Sequence, residues 1–358
     1  MINSKETPRV KGINLHQAGY VKLVLAVLFV LIGLIAGGVL YGKYWLTEFS
    51  QTKQSTITPQ LFSVVKGDNS RKVLNRLVEN GLVEKPLAYR VLLIQKPQLA
   101  QVKIGRYRLT AGMTPVELFD LLSSGIEAQF SITLVEGTTF SQWLETFAKS
   151  EHVVIDPEQN FDQFASAQVS FDQKYPNAAL EGMFYPDTYH FSDQSNINAI
   201  LTRANERLKE VLAEQWAKRQ KNLPIKTPYE ALILASIIEK ETAVASERET
   251  IASVFVNRLR KGMRLQTDPT VIYGAGASYA GDITRAHLRE LNPYNTYKIN
   301  GLPPSPISMV SEDAIIAALN PSESDYYYFV AAGDGGHYFS KTLSEHNKAL
   351  RRYLSLTK

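Results

Sequence analysis

The pattern of apolar and polar positions changes period several times along the chain, and each change marks a boundary. From Leu23 to Tyr41 (LVLAVLFVLIGLIAGGVLY) every residue is uncharged, close to the run of about 20 apolar residues that a helix needs to cross a bilayer. Tyr41, Tyr44 and Trp45 stand where aromatic side chains favour a membrane–water interface. A cleaved signal peptide has an apolar core of only roughly 7–15 residues and a small-residue cleavage site. This run is longer and lacks that site, so it predicts an uncleaved transmembrane helix over residues 23–45. Residues 46–59 are rich in Thr, Gln and Ser with no helical or strand period, and they predict a linker.

Beyond the linker a strand–glycine–helix order recurs. Phe62–Val83 (FSVVKGDNSRKVLNRLVENGLV) places a short strand before Gly67 and an amphipathic helix after it, with Val73, Leu74, Leu77 and Val78 on one face. Arg108–Gly125 repeats the order around Gly112, with a helix start at Thr114, Pro115 next and Glu117 in the first turn. Thr133–Phe147 repeats it around Gly137. The three segments predict a small α+β module over residues 60–153. A larger α+β domain is expected over 154–358, after a polar stretch. Near its start, Leu180–Phe191 (LEGMFYPDTYHF) concentrates aromatics that would serve as core or as a sugar-stacking wall. Lys226–Ile238 (KTPYEALILASII) reads as a helix capped by Thr227, with Pro228 in the first helical position and Glu230 in a capping box. Its apolar residues cover all sides, which predicts burial inside a domain. Ser246 with Glu249 opens a following helix with Ile251, Val254, Phe255 and Leu259 on its core face and Gly262 at its end.

Charge and composition then narrow the function. A formal net charge of +4 with no Lys/Arg run argues against nucleic acid as a partner. The chain has no cysteine, which excludes disulfides, thiolate metal sites and cysteine nucleophiles. His287, His337 and His346 are widely spaced and no H-E-x-x-H is present, so neither a metal nor a cofactor is expected. Lys5, Arg9, Lys11 and Lys22 against Glu6 place the N-terminus in the cytoplasm and the rest of the chain outside it.

The candidate chemistry sits where the buried helix ends in carboxylates. Glu247 and Glu249 have a role at the next helix start, which leaves Glu239 and Glu241. A carboxyl desolvated against apolar neighbours has a raised pKa, as a general acid near neutral pH requires. Small residues one turn earlier, Ala235 and Ser236, leave room beside Glu239, whereas Glu241 follows the bulkier Ile237 and Ile238. Spacing therefore favours Glu239 and leaves Glu241 open, as it leaves open a solvated helix end paired with Lys240 or Arg248.

The following motifs are MRLQTDPTVIYG (263–274), NPYNTY (292–297), GLPPSPI (301–307) and GGHYFSKTLSEHN (335–347). Together with EGMFYPDTY and the N-terminal span, they resemble the endolytic murein transglycosylases, membrane-anchored bacterial enzymes that cut peptidoglycan strands. The resemblance implies that the catalytic acid is the glutamate of SIIEKE, carried onto Glu239, with Gln266, Asp268, Tyr273, Asn295 and Tyr297 lining a sugar groove. It implies cleavage between N-acetylmuramic acid and N-acetylglucosamine, with the sugar itself supplying the nucleophile and a 1,6-anhydro end as product. It also implies a place in the bacterial cytoplasmic (inner) membrane with a periplasmic catalytic domain, a limit on strand length, and glycan-polymerising synthases as partners. One departure is visible, since Ser305 stands where the family commonly has glycine. VVKGDN, at 64–69, resembles a LysM module, a family that binds N-acetylglucosamine-containing polymers. Two other readings remain: a muramidase using water with a base such as Asp268, and a wall-binding scaffold without catalysis.

Overall fold

The computed structural model describes residues 15–158, 161 and 180–356. The basic residues Lys5, Arg9 and Lys11 of the tail lie outside the described residues. Helix α1 (Leu15–Gln51) contains one stretch, Lys22–Gln51, long and apolar enough to cross a membrane, with mean hydropathy 3.0 in its most apolar window and none of that window buried in the protein.

The chain forms two compact units, Met1–Ala128 and Gln129–Lys358. In the first, α1 does not end at the interfacial aromatics. It continues through Gln51 into the first part of the expected linker, and Leu46 and Phe49 fall on one face. Both are buried in the core of the unit, where the Phe49 ring meets Tyr89 edge-on at 5.2 Å. Ile57, also assigned to the linker, is 1% exposed.

Five elements follow in this unit: β1 (Gln60–Val64), α2 (Ser70–Glu79), α3 (Pro86–Gln95), β2 (Gly105–Leu109) and α4 (Pro115–Ser124). The strands pair antiparallel with Phe62 opposite Tyr107. Asn69 caps α2 by accepting from the Lys72 N–H at 3.0 Å, and Thr114, the expected start of α4, forms a capping box with Glu117. Helix α3 is absent from the sequence reading. It lacks a side-chain cap and is apolar on two faces, so periodicity does not mark it and Pro86 in its first position is the sole start signal.

The second unit begins with β3 (Gln129–Thr133), α5 (Phe140–Ala148) and β4 (Val153–Val154). The third strand–glycine–helix segment therefore packs in this unit and not with the first two. The cause is the antiparallel pairing of β3 with β5 (Thr188–Ser192), which draws Ile132, Trp143 and Phe147 into the larger core. The unit continues with β6 (Ser195–Asn196), α6 (Ile197–Ala217), α7 (Pro228–Glu241), α8 (Arg248–Arg260), α9 (Asp268–Ala275) and α10 (Arg285–Arg289). It closes with α11 (Glu312–Leu319), the antiparallel hairpin β7 (Tyr328–Ala331) and β8 (His337–Ser340), and α12 (Leu343–Leu356). Phe184, Tyr189 and Phe191 of the aromatic run are core.

Helix α7 is the centre of the unit. Thr227 caps it by accepting from the Glu230 N–H at 3.1 Å, and every residue from Ala231 to Ile238 is at most 1% exposed. Helix α11 packs along it and also touches α6 and α8. The expected Ser246–Glu249 capping box does not form: a short 3₁₀ turn over Ala245–Glu247 leads into α8 with no side-chain cap.

If α1 and the first unit share a core, Phe49→Ala leaves a cavity and destabilises that unit by about 3 kcal/mol. Thermal unfolding of the full chain in detergent checks this. An unchanged transition would return residues 46–51 to the role of a passive tether.

Candidate active site

Glu239 and Glu241 occupy the last turn of α7, two residues and therefore about 200° apart around the helix axis. They meet different surroundings. The Glu239 carboxylate accepts through one oxygen from both the backbone N–H of Ser311, at 3.0 Å, and the Ser311 hydroxyl. Ser311 is the N-cap of α11, so this carboxylate sits on a helix N-terminus, where negative charge is favourable. Next to it, Lys240 Nζ donates to the Gly137 carbonyl at 2.9 Å, and Gly137 N–H donates to the Met309 carbonyl. The room expected beside Ala235 and Ser236 is filled: both are fully buried, and Ser236 Oγ accepts from the Ile307 N–H at 3.0 Å. Glu239 thus fastens the end of α7 to the start of α11, while Lys240 and Ser236 tie the helix to Gly137 and Ile307.

Glu241 faces a cavity of about 420 Å³ whose wall includes Arg258, Gln266, Asp268, Tyr297, Tyr328 and His346. Thr267 Oγ1 donates to its carboxylate at 2.8 Å. Burial raises its pKa above the ordinary carboxylate range and the Asp268 charge adds to that, while the Thr267 hydrogen bond and the charges of His337 and Arg258 work against it.

Three residues expected in the groove join Glu241. Asp268 opens α9, and its Oδ1 accepts from the Tyr297 hydroxyl at 2.7 Å. Gln266 is exposed in a left-handed backbone conformation, φ 52°, uncommon for a residue with a Cβ and of the kind found at binding sites. The other two stand elsewhere. Asn295 is 1% exposed and its amide is fully engaged: Nδ2 donates to the carbonyls of His287 and Glu290, and Oδ1 accepts from the Tyr297 N–H. It shapes the loop that carries Tyr297. Tyr273 packs on the Tyr294 ring at 4.9 Å and donates to Glu181 Oε2 at 3.3 Å.

Arg258 was not visible as a site residue, because an arginine on an amphipathic helix reads as surface. It is 8% exposed, with Nε donating to the Tyr327 carbonyl at 2.6 Å and Nη1 to the Leu265 carbonyl at 2.7 Å. It therefore braces the loop that presents Gln266. His346 stacks on Tyr328 at 5.4 Å, and burial together with the Arg258 charge lowers its pKa, which keeps the ring neutral. Glu247 holds His337 by ring and backbone, Nδ1 to Oε2 at 2.7 Å and the N–H to Oε1 at 3.0 Å. Ser305, the departure in the GLPPSPI loop, is accommodated by a 2.7 Å hydrogen bond with the Tyr294 hydroxyl.

Glu181 gave no sequence signal beyond its place in an aromatic run. It is 6% exposed, accepts from the Phe140 N–H at 3.0 Å, and is pushed up by burial to about 7.

Helix α7 thus delivers a half-enclosed carboxyl to a cleft lined by hydroxyls, an amide and aromatic rings. The chain belongs to the YceG-like family, whose model matches residues 62–352. It is 32% identical to an endolytic murein transglycosylase of Bacillus subtilis over 335 residues, 90% of this chain and 91% of that protein. It is 26% identical to an endolytic murein transglycosylase of Streptococcus pneumoniae over 94% of this chain and 66% of that one. The crystal structure of a YceG-like protein from Listeria monocytogenes matches with a TM-score of 0.50 at 29% identity, covering 81% of this chain and 98% of the other.

The raised Glu181 pKa fixes the sign of a stability effect. Between the ordinary value of 4.5 and about 7 the folded state binds the proton that the unfolded state has released, so stability falls as pH rises through this window. The loss is on the order of 3 kcal/mol. Glu181→Gln should flatten the dependence of unfolding midpoint on pH between those limits, and an unaltered slope would contradict the assignment.

Proposed function

We propose that this chain is a membrane-anchored lytic transglycosylase that cleaves peptidoglycan glycan strands internally, and that Glu241, not Glu239, is its acid. Family membership and the names of its relatives support the activity. The observation that carries the choice of residue is the company each glutamate keeps. Glu241 borders the cavity with Gln266, Asp268 and Tyr297, whereas the Glu239 carboxylate is committed to the N-cap of α11.

In the proposed reaction the protonated Glu241 gives its proton to the glycosidic oxygen between N-acetylmuramic acid and N-acetylglucosamine. The resulting carboxylate then takes the proton of the muramyl C6 hydroxyl as that oxygen attacks the anomeric carbon, closing a 1,6-anhydro ring without water. A raised pKa suits the first step, and Thr267 with the Arg258 charge favours the carboxylate needed in the second. Gln266 and Tyr297 would orient the sugar's amide and hydroxyl groups, and Tyr328 offers an apolar wall. The transmembrane helix would sit in the bacterial cytoplasmic membrane with its N-terminus inside and the catalytic unit outside, where cutting nascent strands near glycan-polymerising synthases would limit their length. The β-α-α-β order of the first unit supports the LysM-like reading and with it a glycan-holding role.

Mass spectrometry of purified strands incubated with the full-length protein tests this. Wild type and Glu239→Gln should yield anhydro ends, the latter with a stability loss of about 1 kcal/mol, while Glu241→Gln should lose about 10²- to 10⁴-fold in rate. Activity retained by Glu241→Gln but lost by Glu239→Gln would return the role to Glu239. Reducing ends would mean a muramidase with Asp268 as base, and strands left intact by all three proteins would mean a scaffold.

A further inference from the structure

Helix α3 buries one apolar side and exposes another. Ala88, Tyr89, Leu92 and Leu93 are buried in the core of the first unit, whereas Leu87, Val91 and Ile94 are 72%, 47% and 79% exposed. Their i, i+4, i+7 spacing makes them one stripe. The exposed Arg90 lies within the same face, and Lys85 and Lys96 flank the helix ends.

Helix α1 sets what lies beside this stripe. Trp45 and Phe49 of α1 share a hollow with Glu84 and Lys85, the residues immediately before α3, and Phe49 meets Tyr89 of α3 edge-on. Trp45 follows the last residue of the uncharged run, Gly42, by three residues, which places it about 4.5 Å beyond the hydrocarbon edge. That is within the headgroup layer, whose depth is roughly 5–7 Å on each side of the core. Phe49 lies about 10 Å beyond the same edge, so α3 is held just outside the headgroup layer, and its ten residues span about 15 Å. Apolar residues with Arg and Lys around them are the composition of helices that lie in a membrane interface.

We propose that the Leu87–Val91–Ile94 face of α3 rests on the anionic lipid surface of the membrane that α1 crosses, a second attachment that fixes the tilt of the first unit. The proposal rests on α1 as a span and is independent of the catalytic reading. The apolar side chains would enter the headgroup and acyl boundary while Arg90, Lys85 and Lys96 meet lipid phosphates.

The absence of native cysteine allows a clean test. Full-length protein carrying a single environment-sensitive fluorophore at Ile94→Cys, or at the exposed α2 position Glu79→Cys for comparison, is reconstituted into vesicles containing phosphatidylglycerol and lipids spin-labelled near the headgroup. Quenching at position 94 should exceed that at 79 by about twofold or more, with a blue-shifted emission, as for a side chain in the interface. Adding Leu87→Asp and Val91→Asp, both at exposed positions, should abolish the difference while leaving the unfolding midpoint unchanged. Equal quenching at the two positions, or a difference that survives the Asp substitutions, would overturn the proposal. So would a signal at 94 that tracks protein density in the vesicle instead of lipid composition, which would assign the face to a second copy of the chain.

Discussion

The structure of the second unit depends on the all-round burial of α7. Its residues from Ala231 to Ile238 leave no side open to water, so the helix has neither rotational nor sliding freedom. Because its register is fixed, the two glutamates that end it must project to opposite sides, one toward the start of α11 and one toward the start of α9. Each direction finds a hydroxyl residue waiting: Ser311 for Glu239 and Thr267 for Glu241. The first contact satisfies a helix N-terminus, and the second leaves the rest of a carboxyl facing a cavity.

The same logic explains how far the sequence could be read. Both ends of α7, the start of α4 at Thr114 and the long apolar helix near the N-terminus were legible, because caps and periodicity are local signals. The choice between Glu239 and Glu241 was not, since Ser311 lies 72 residues from Glu239 and Thr267 lies 26 from Glu241. The space inferred beside Ala235 and Ser236 was taken by the 305–308 loop, a long-range event that helical spacing cannot register. Likewise, β3 was grouped with the wrong strands because its partner β5 lies beyond a long insertion. Helix α3 and the last turn of α1 were missed for a different reason: their burial is decided by each other, through Phe49 and Tyr89.

Around Glu241 opposing influences meet, and burial is the largest of them. Burial and Asp268 push toward the protonated carboxyl, while Thr267, His337 and Arg258 pull toward the carboxylate. Both directions matter to a proposed acid that gives a proton and takes one back within a turnover. Arg258 contributes twice, since it also holds the carbonyl of Leu265 and so the left-handed backbone at Gln266. His346, kept neutral nearby, adds no competing charge.

The most direct test of Glu241 as the titrating acid is the pH dependence of strand cleavage, measured as kcat/KM for wild type and Asp268→Asn. The account predicts an alkaline limb at a pH above the ordinary glutamate range, because the protonated form is the active one. It further predicts that the limb moves to lower pH in Asp268→Asn, because removing a neighbouring negative charge eases ionisation of Glu241. A limb that stays in place when Asp268 loses its charge would contradict the assignment.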